Sequence, residues 1–323
     1  MDGAKSRLFP EGDRRDLSDM ILGLKRRSFL ISAGTLITSG LALSGYARFI
    51  EPYSVVIERE TLTFKELPED FSGFTIALVT DLHHSRYVGT DYLKDVVVKV
   101  NRLKPDLILA LGDYIYDDKK YIKPCFKIMK DLKAEYGIYG VLGNHDHWIG
   151  SKLVRKEMIK SDITDLTNRS IKIFRDKSYT EKDKEEQSYG SNSSPDISMK
   201  EKSYIRLIGA GDWWEEPSDA EKLLSPYSSD EFKIVLSHNP EWAEEIGNGM
   251  VNLVVSGHTH GGQVILPLIG APILPTRYGD KYCKGLIKQK DFWVYVSRGI
   301  GMIFVPVRFN CQPEITLLTL MKG

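Results

Sequence analysis

The sequence predicts an α/β fold. Runs of four to eight residues rich in Val, Ile and Leu recur along the chain, and stretches with helical spacing separate most of them. Two late apolar runs follow one another without a helix between them, which predicts antiparallel strands completing a second sheet. The chain has 323 residues, 42% hydrophobic and 27% charged. That is enough for one large domain or two small ones. Its 44 Lys+Arg balance 44 Asp+Glu, so nothing in the net charge points to a nucleic-acid polymer. Three scattered cysteines exclude a disulfide scaffold or a structural zinc knot.

In chain order, residues 1–50 read as an N-terminal signal or membrane anchor. A polar, basic stretch at 13–28 precedes residues 29–46, which carry no charge. This is close to the length needed to cross a hydrocarbon core of about 30 Å. Arg26-Arg27-Ser28-Phe29-Leu30 resembles the twin-arginine export signature, and Ala47 offers a poor cleavage point. Basic residues ahead of the apolar run favour a cytoplasmic N-terminus with the body membrane-associated or exported. A buried helix of the globular body is the alternative.

Residues 51–323 form the working domain. Strands are predicted at 74–80 (FTIALVT), 106–111, 138–142, 205–208, 232–236 and 251–255, each apolar enough to be buried on both faces. Helical spacing appears at 91–103, 121–135, 152–159 and 218–224, and the late strands fall at 292–297 and 314–320. Residues 178–203, dominated by Glu, Lys, Asp, Ser, Asn and Gly, bury too little to order themselves and read as a mobile insertion.

Histidine carries the functional signal. All seven lie within 83–84, 145–147, 238 and 258–260. Five short pieces directly follow predicted strands: Asp81-Leu82-His83, Gly112-Asp113, Gly143-Asn144-His145-Asp146, Ser237-His238-Asn239 and Gly257-His258-Thr259-His260. Open α/β sheets place ligands at the carboxyl ends of strands. In extended chain, residues two apart point the same way, so Asp81 with His83 and His258 with His260 are each expected to face one pocket. Nitrogen and oxygen donors without thiolate favour Mn, Fe, Zn or Co, and several such ions fit equally.

This order of motifs, unbroken from Asp81 to Gly262, resembles the calcineurin-like metallophosphoesterase superfamily. The resemblance implies a four-layer α-β-β-α sandwich of two mixed sheets flanked by helices. It also implies two divalent metal ions: Asp81, His83 and His260 on one, Asn144, His238 and His258 on the other, Asp113 bridging. His145 would steady developing charge or protonate the leaving oxygen, and Asp146 would orient His145. The implied reaction is hydrolysis of a phosphoester or pyrophosphate by metal-activated hydroxide in line with the leaving group.

Gly261-Gly262-Gln263-Val264 and Val307-Arg308-Phe309-Asn310-Cys311-Gln312-Pro313-Glu314 resemble a narrower bacterial branch. It holds membrane-associated or twin-arginine-exported phosphodiesterases and UDP-2,3-diacylglucosamine pyrophosphatases of lipid A synthesis. The latter would act on a lipid-linked nucleotide at the cytoplasmic face, against the export signature. A catalytically silent metal-stabilised binding module is the alternative of a different class. Three further residues are read as substrate contacts, each with an ordinary structural alternative: His84, His147 and Arg308. Trp148 reads as packing, and Asp212-Trp213-Trp214, after a strand, reads as aromatic packing or as a pocket wall. The loop 266–275 (LPLIGAPILP) reads as rigid and buried, or as a contact to an acyl chain or the membrane surface.

Overall fold

A computed structural model describes residues 13–177 and 203–323. The chain divides into two units, the N-terminal helix up to Phe49 and a domain from Ile50 to Gly323. The helix, α1 (Asp13–Phe49), joins the basic and the apolar stretch without a break. Phe29, Ile37 and Leu41 on it are exposed. Among the described residues, the segment Phe29–Tyr53 is the one helix long and apolar enough to cross a membrane. Nearly all of the expected insertion at 178–203 lies outside the described residues.

The domain holds two six-stranded mixed sheets. The first is built from β1 (Val56–Phe64), β2 (Phe74–Val79), β3 (Leu107–Ala110), β4 (Ile138–Gly140), β5 (Ile163–Asp165) and a last strand, β12 (Glu314–Lys322). The second comprises β6 (Arg169–Phe174), β7 (Tyr204–Gly209), β8 (Lys233–Leu236), β9 (Leu253–Ser256), β10 (Gly285–Lys288) and β11 (Trp293–Val296). Their orders are β1-β12-β2-β3-β4-β5 and β10-β11-β9-β8-β7-β6. Within them β2, β3, β4 and β5 run parallel, as do β7, β8, β9 and β11.

Alternation along each strand builds the layers. Phe74, Ile76 and Leu78 of β2 meet Ile234, Leu236, Leu253 and Val255 in the core between the sheets. Ala77 and Val79 point the other way, onto α2 (Thr90–Leu103) and α3 (Ile122–Met129), through Leu93, Val96, Val100, Cys125 and Phe126. Val235 and Val254 cover the far face of the second sheet, under α5 (Ala220–Leu224) and the buried Trp242. Strands buried on both faces read as continuous apolar runs, so these were legible.

The structure corrects four expectations. The run at 314–320 does not enter the second sheet. It lies in the first, parallel to β1 and antiparallel to β2. Strand β11 runs parallel to β9 and antiparallel only to β10. The helix expected at 121–135 stops at Met129, because Asn101 of α2 captures the chain beyond it. The Asn101 side chain accepts the Lys133 N–H and donates to the Asp131 carbonyl, both at 2.8 Å. Finally, α4 (Asn144–Lys160) starts eight residues before the expected 152. Gly150, at φ 146°, breaks it internally, so helical spacing is regular only in the later part.

Candidate metal centre

Each of the five pieces follows a parallel strand at its carboxyl end: Asp81 after β2, Asp113 after β3, Asn144 after β4, His238 after β8 and His258 after β9. The loops lace the two sheets together. The Asp81 amide donates to the Gly112 carbonyl and the His83 amide to the Asp113 carbonyl, both at 3.0 Å. The His258 amide reaches across to the Asp81 carboxylate at 3.1 Å.

Two separate donor groups result, and a third, His83, Asp113 and His145, overlaps both. Asp81, His83 and His260 hold their ligand atoms within 4.8 Å of one another, and so do Asp113, His238 and His258. His83 Nε2 lies 3.0 Å from His260 Nε2 and 3.4 Å from Asp113 Oδ2, which in turn lies 3.2 Å from His238 Nε2. Asp113 thus stands between the groups. All six side chains are buried. Asn144 is also buried, and its Oδ1 has no hydrogen-bond partner among the described residues.

Extended backbone does not produce this convergence. Asp81, His83, Asp113, His258 and His260 all sit in the left-handed region, with φ between 45° and 71°. Each such non-glycine conformation costs on the order of 1–3 kcal/mol and persists where the surroundings enforce it. Part of that enforcement is close approach. A Cβ on Gly257 would lie 2.3 Å from Asp81 Oδ2, and one on Gly143 would lie 2.3 Å from Asp113 Oδ1.

The donor chemistry fits cations. His238 spends its Nδ1–H on the Leu111 carbonyl at 2.8 Å, and His258 its Nε2–H on the Pro275 carbonyl at 3.0 Å. Their inward atoms, Nε2 and Nδ1, then face each other across 3.2 Å as acceptors. Acceptors so close repel unless a proton or a cation lies between them. Outer N–H bonds of this kind orient metal-binding imidazoles. With protons alone, burial disfavours charge on His238, but the Asp113 carboxylate overrides it and pushes the imidazole up to about 10. Burial and the facing His238 push His258 down to about 3. Burial also raises Asp81 to about 6 and holds His83 and His260 well below the usual histidine range. Cys311 touches this shell through its S–H, which points at the carbonyls of His260 and Gly261.

His145 is partly exposed beside the groups. Its amide donates to Asp113 Oδ1 at 2.9 Å and its Nδ1–H to the Tyr116 carbonyl at 2.7 Å. The ring stacks on Tyr116 and stands edge-on to His83. Asp146 does not orient it. The Asp146 carboxylate instead accepts the amides of Asp113, Tyr114 and Gly143 at 2.8–3.0 Å. It pins the backbone of the Gly-Asp turn, and the Tyr116 carbonyl takes the role expected of Asp146.

The three expected substrate contacts lie elsewhere. His84 is buried, with Nδ1 against the Tyr121 carbonyl at 3.2 Å and its ring tilted over Tyr121. His147 turns its Nε2 toward Glu216 Oε2 at 3.6 Å. Arg308 has no accessible surface. Its guanidinium donates to the carbonyls of Arg298, Gly299, Gly301 and Cys311 and rests 3.4 Å from His260 Nδ1. It braces the loop behind His260 from inside.

Trp148, read as packing, and Trp214, for which a pocket wall was the alternative to packing, line the rim instead. Trp148 is 57% exposed with its ring 4.7 Å from His145; Trp214 is 48% exposed and 4.7 Å from His258. Glu215 accepts the Trp148 indole N–H at 2.7 Å. A cue was present, since Trp148 follows the Gly-Asn-His-Asp piece by two residues, one helical turn from His145.

Residues 74–262 match the family of calcineurin-like phosphoesterases. The chain is 33% identical to the metallophosphoesterase YkuE of Bacillus subtilis, over 92% of this chain and 98% of that protein. It is 30% identical to the phosphodiesterase YaeI of Escherichia coli, over 92% of this chain and 100% of that protein. A transmembrane protein with metallophosphoesterase domain from Danio rerio is 29% identical over 89% of this chain and 62% of its own length. Among solved structures, the Haemophilus influenzae NAD nucleotidase overlaps at a TM-score of 0.40 and 19% identity, covering 70% of this chain and 45% of its own.

Proposed function

The chain belongs to the calcineurin-like phosphoesterase family and is a phosphoester hydrolase, and we propose that it cleaves phosphodiesters at a dinuclear centre built from the two donor groups. In this reading Asp81, His83 and His260 hold one divalent ion, Asn144, His238 and His258 the other, and Asp113 joins them. The observation that carries the reading is the inward pair of acceptor nitrogens on His238 and His258, each fixed by an outer bond to a backbone carbonyl. The uncapped Asn144 Oδ1 adds an oxygen donor of the right kind.

Two divalent ions there would offset phosphate charge and bring the pKa of water to about 7. The chain's own groups do the rest. Asp81 and Asp113 fix the geometry through the left-handed turns that present them. His145, its Nδ1–H committed to the Tyr116 carbonyl, turns its other face toward the centre; protonated at Nε2, it donates to the phosphoryl or leaving oxygen. Trp148 and Trp214 flank that approach and supply apolar walls for an ester substituent.

The name of the Escherichia coli relative supports a diester over a monoester. Hydrolysis of bis-p-nitrophenyl phosphate by the full chain with added manganese tests the proposal. Asp113→Ala should lose on the order of a thousandfold. Full turnover by that variant would remove Asp113 from the centre and sink the reading; no turnover by the wild type with Mn, Fe, Zn or Co would sink it too and restore the silent binding module.

We further propose that α1 anchors the domain or directs its export, a reading supported by its span-length apolar segment. A topology reporter fused after Gly323 tests it. An external readout agrees with export. A cytoplasmic one would favour the UDP-2,3-diacylglucosamine pyrophosphatase alternative.

A further inference from the structure

Two loops beside the centre present large apolar side chains to water. Leu268 is fully exposed, Ile269 and Ile273 are 72% and 74% exposed, and Phe304 and Val305 are 74% and 60% exposed. Burying each would return about 1.5–3 kcal/mol. The backbone adds a cost of its own. Leu268 and Phe304 occupy the left-handed region, at φ 67° and 53°, although neither gains packing by it.

These loops are held stiffly. The Gln263 side chain donates to the Ile303 carbonyl and accepts the Ile303 N–H, at 3.1 and 2.7 Å. Ile265 and Phe309 join through the backbone at 2.8 Å, and Leu266 and Gly270 close a tight turn below Leu268. Each loop also reaches the candidate centre. The Pro275 carbonyl holds His258, and the Phe304 amide donates to the hydroxyl of Tyr116, the ring on which His145 stacks. The apolar tips are thus a built surface at the edge of the site.

We propose that this surface docks on a lipid bilayer, with the five apolar side chains entering the boundary between headgroups and acyl chains. A bilayer is the occupant because the same polypeptide carries a span-length apolar segment, Phe29–Tyr53, which as an anchor would hold the domain at a membrane. Docking would bring the mouth of the centre to the headgroup layer, so its substrates are phosphoesters of amphiphiles. That second step rests on the hydrolase reading; the docking itself does not.

The test uses the full chain in vesicles of phosphatidylethanolamine and phosphatidylglycerol. A nitrobenzoxadiazole label is placed at Ile269→Cys or, as control, at the exposed Lys94→Cys of α2, in a Cys283→Ser background. Spin-labelled phosphatidylcholine should quench the Ile269 label by about half or more and the Lys94 label little. An unquenched Ile269 label overturns the docking and leaves a protein partner as the occupant. Equal quenching at both positions overturns it too, because the whole domain would then lie on the lipid. For the second step, Leu268→Ser with Ile269→Ser should keep hydrolysis of soluble bis-p-nitrophenyl phosphate. It should lose about tenfold on phosphatidyl-p-nitrophenol embedded in the vesicles. Equal rates on the embedded substrate, or none by the wild type on that substrate alone, overturn the amphiphile assignment, whereas absence of hydrolysis on both substrates overturns the hydrolase reading and leaves the labels to decide docking.

Discussion

Asp146 accepts the amide of Asp113 at 2.8 Å, so one buried carboxylate fixes the backbone that presents another. Its two oxygens take three amides in all, those of Asp113, Tyr114 and Gly143. In Asp146→Asn one side of the group becomes a donor facing a donor. The variant should lose about 1–3 kcal/mol in denaturant unfolding, the cost of a buried unpaired amide, and should bind metal less tightly. The pH profile of its residual hydrolysis should match the wild type, since His145 is held by Tyr116. A displaced profile would return Asp146 to the role of orienting His145.

Gly257→Ala should abolish the centre while sparing the fold. A methyl there would lie 2.3 Å from both Asp81 Oδ2 and Thr80 Oγ1. Asp81 must then turn away. Bound metal, measured by mass spectrometry after gel filtration, should fall from two equivalents to one or none, and turnover by on the order of a hundredfold. A variant that retains both ions would show that Asp81 has room to spare.

Stability without metal should fall as the solution becomes alkaline. His238 in the folded chain titrates at about 10, above its ordinary 6.5. A raised imidazole stabilises fully below the unfolded value, and this contribution is lost as pH rises through the folded one. Between pH 7 and 9, unfolding free energy in chelator should therefore drop by up to about 1.4 kcal/mol per pH unit. With manganese the slope should vanish or reverse, because binding requires the deprotonated ring. Parallel slopes with and without metal would remove His238 from the ligand set.

Trp214→Ala and Trp148→Ala should raise KM for an aryl phosphodiester about fivefold each, the worth of roughly one aromatic contact. For Trp214, kcat should hold, because its ring touches His258 from outside the donor groups. An unchanged KM in both variants would make the rim incidental.

Arg308→Lys should behave as a stability variant. A lysine has three donors on one atom and cannot replace a guanidinium that reaches four carbonyls. A loss of about 2–4 kcal/mol in unfolding is expected, with KM unchanged at temperatures where the variant is folded. A selective rise in KM would reinstate Arg308 as a contact for the anion.

Much of this molecule was readable from its residues. Strands β2, β3, β8 and β9 are buried on both faces and so announce themselves as apolar runs. The donors stand directly after them, because parallel strands deliver their loops to one edge. What escaped depends on distant partners. The end of α3 is set by Asn101, more than twenty residues earlier. β12 was assigned to the wrong sheet because an apolar strand carries no mark of which neighbour it joins. Asp146, Arg308 and His84 were misread for one shared reason: each bonds backbone amides or carbonyls, which every sequence supplies and none advertises. The left-handed turns at Asp81 and His258 were hidden too, since non-glycine residues there are enforced by contacts made across the sheets.

The position of β12 between β1 and β2 also orders events during synthesis. His260, the last residue of the donor set, is translated more than fifty residues before Glu314 begins the strand that separates β1 from β2. A nascent chain therefore carries every candidate donor while β2 still exposes an unpaired edge, a template for wrong strands. The carbonyl cage that Arg308 fills, and the Glu314 amide bond to Gly299 behind Asp81, arrive with the same late segment. The frame of the candidate centre is thus completed only by the final strand, and a chain stalled ahead of it would have the candidate donors yet lack their frame.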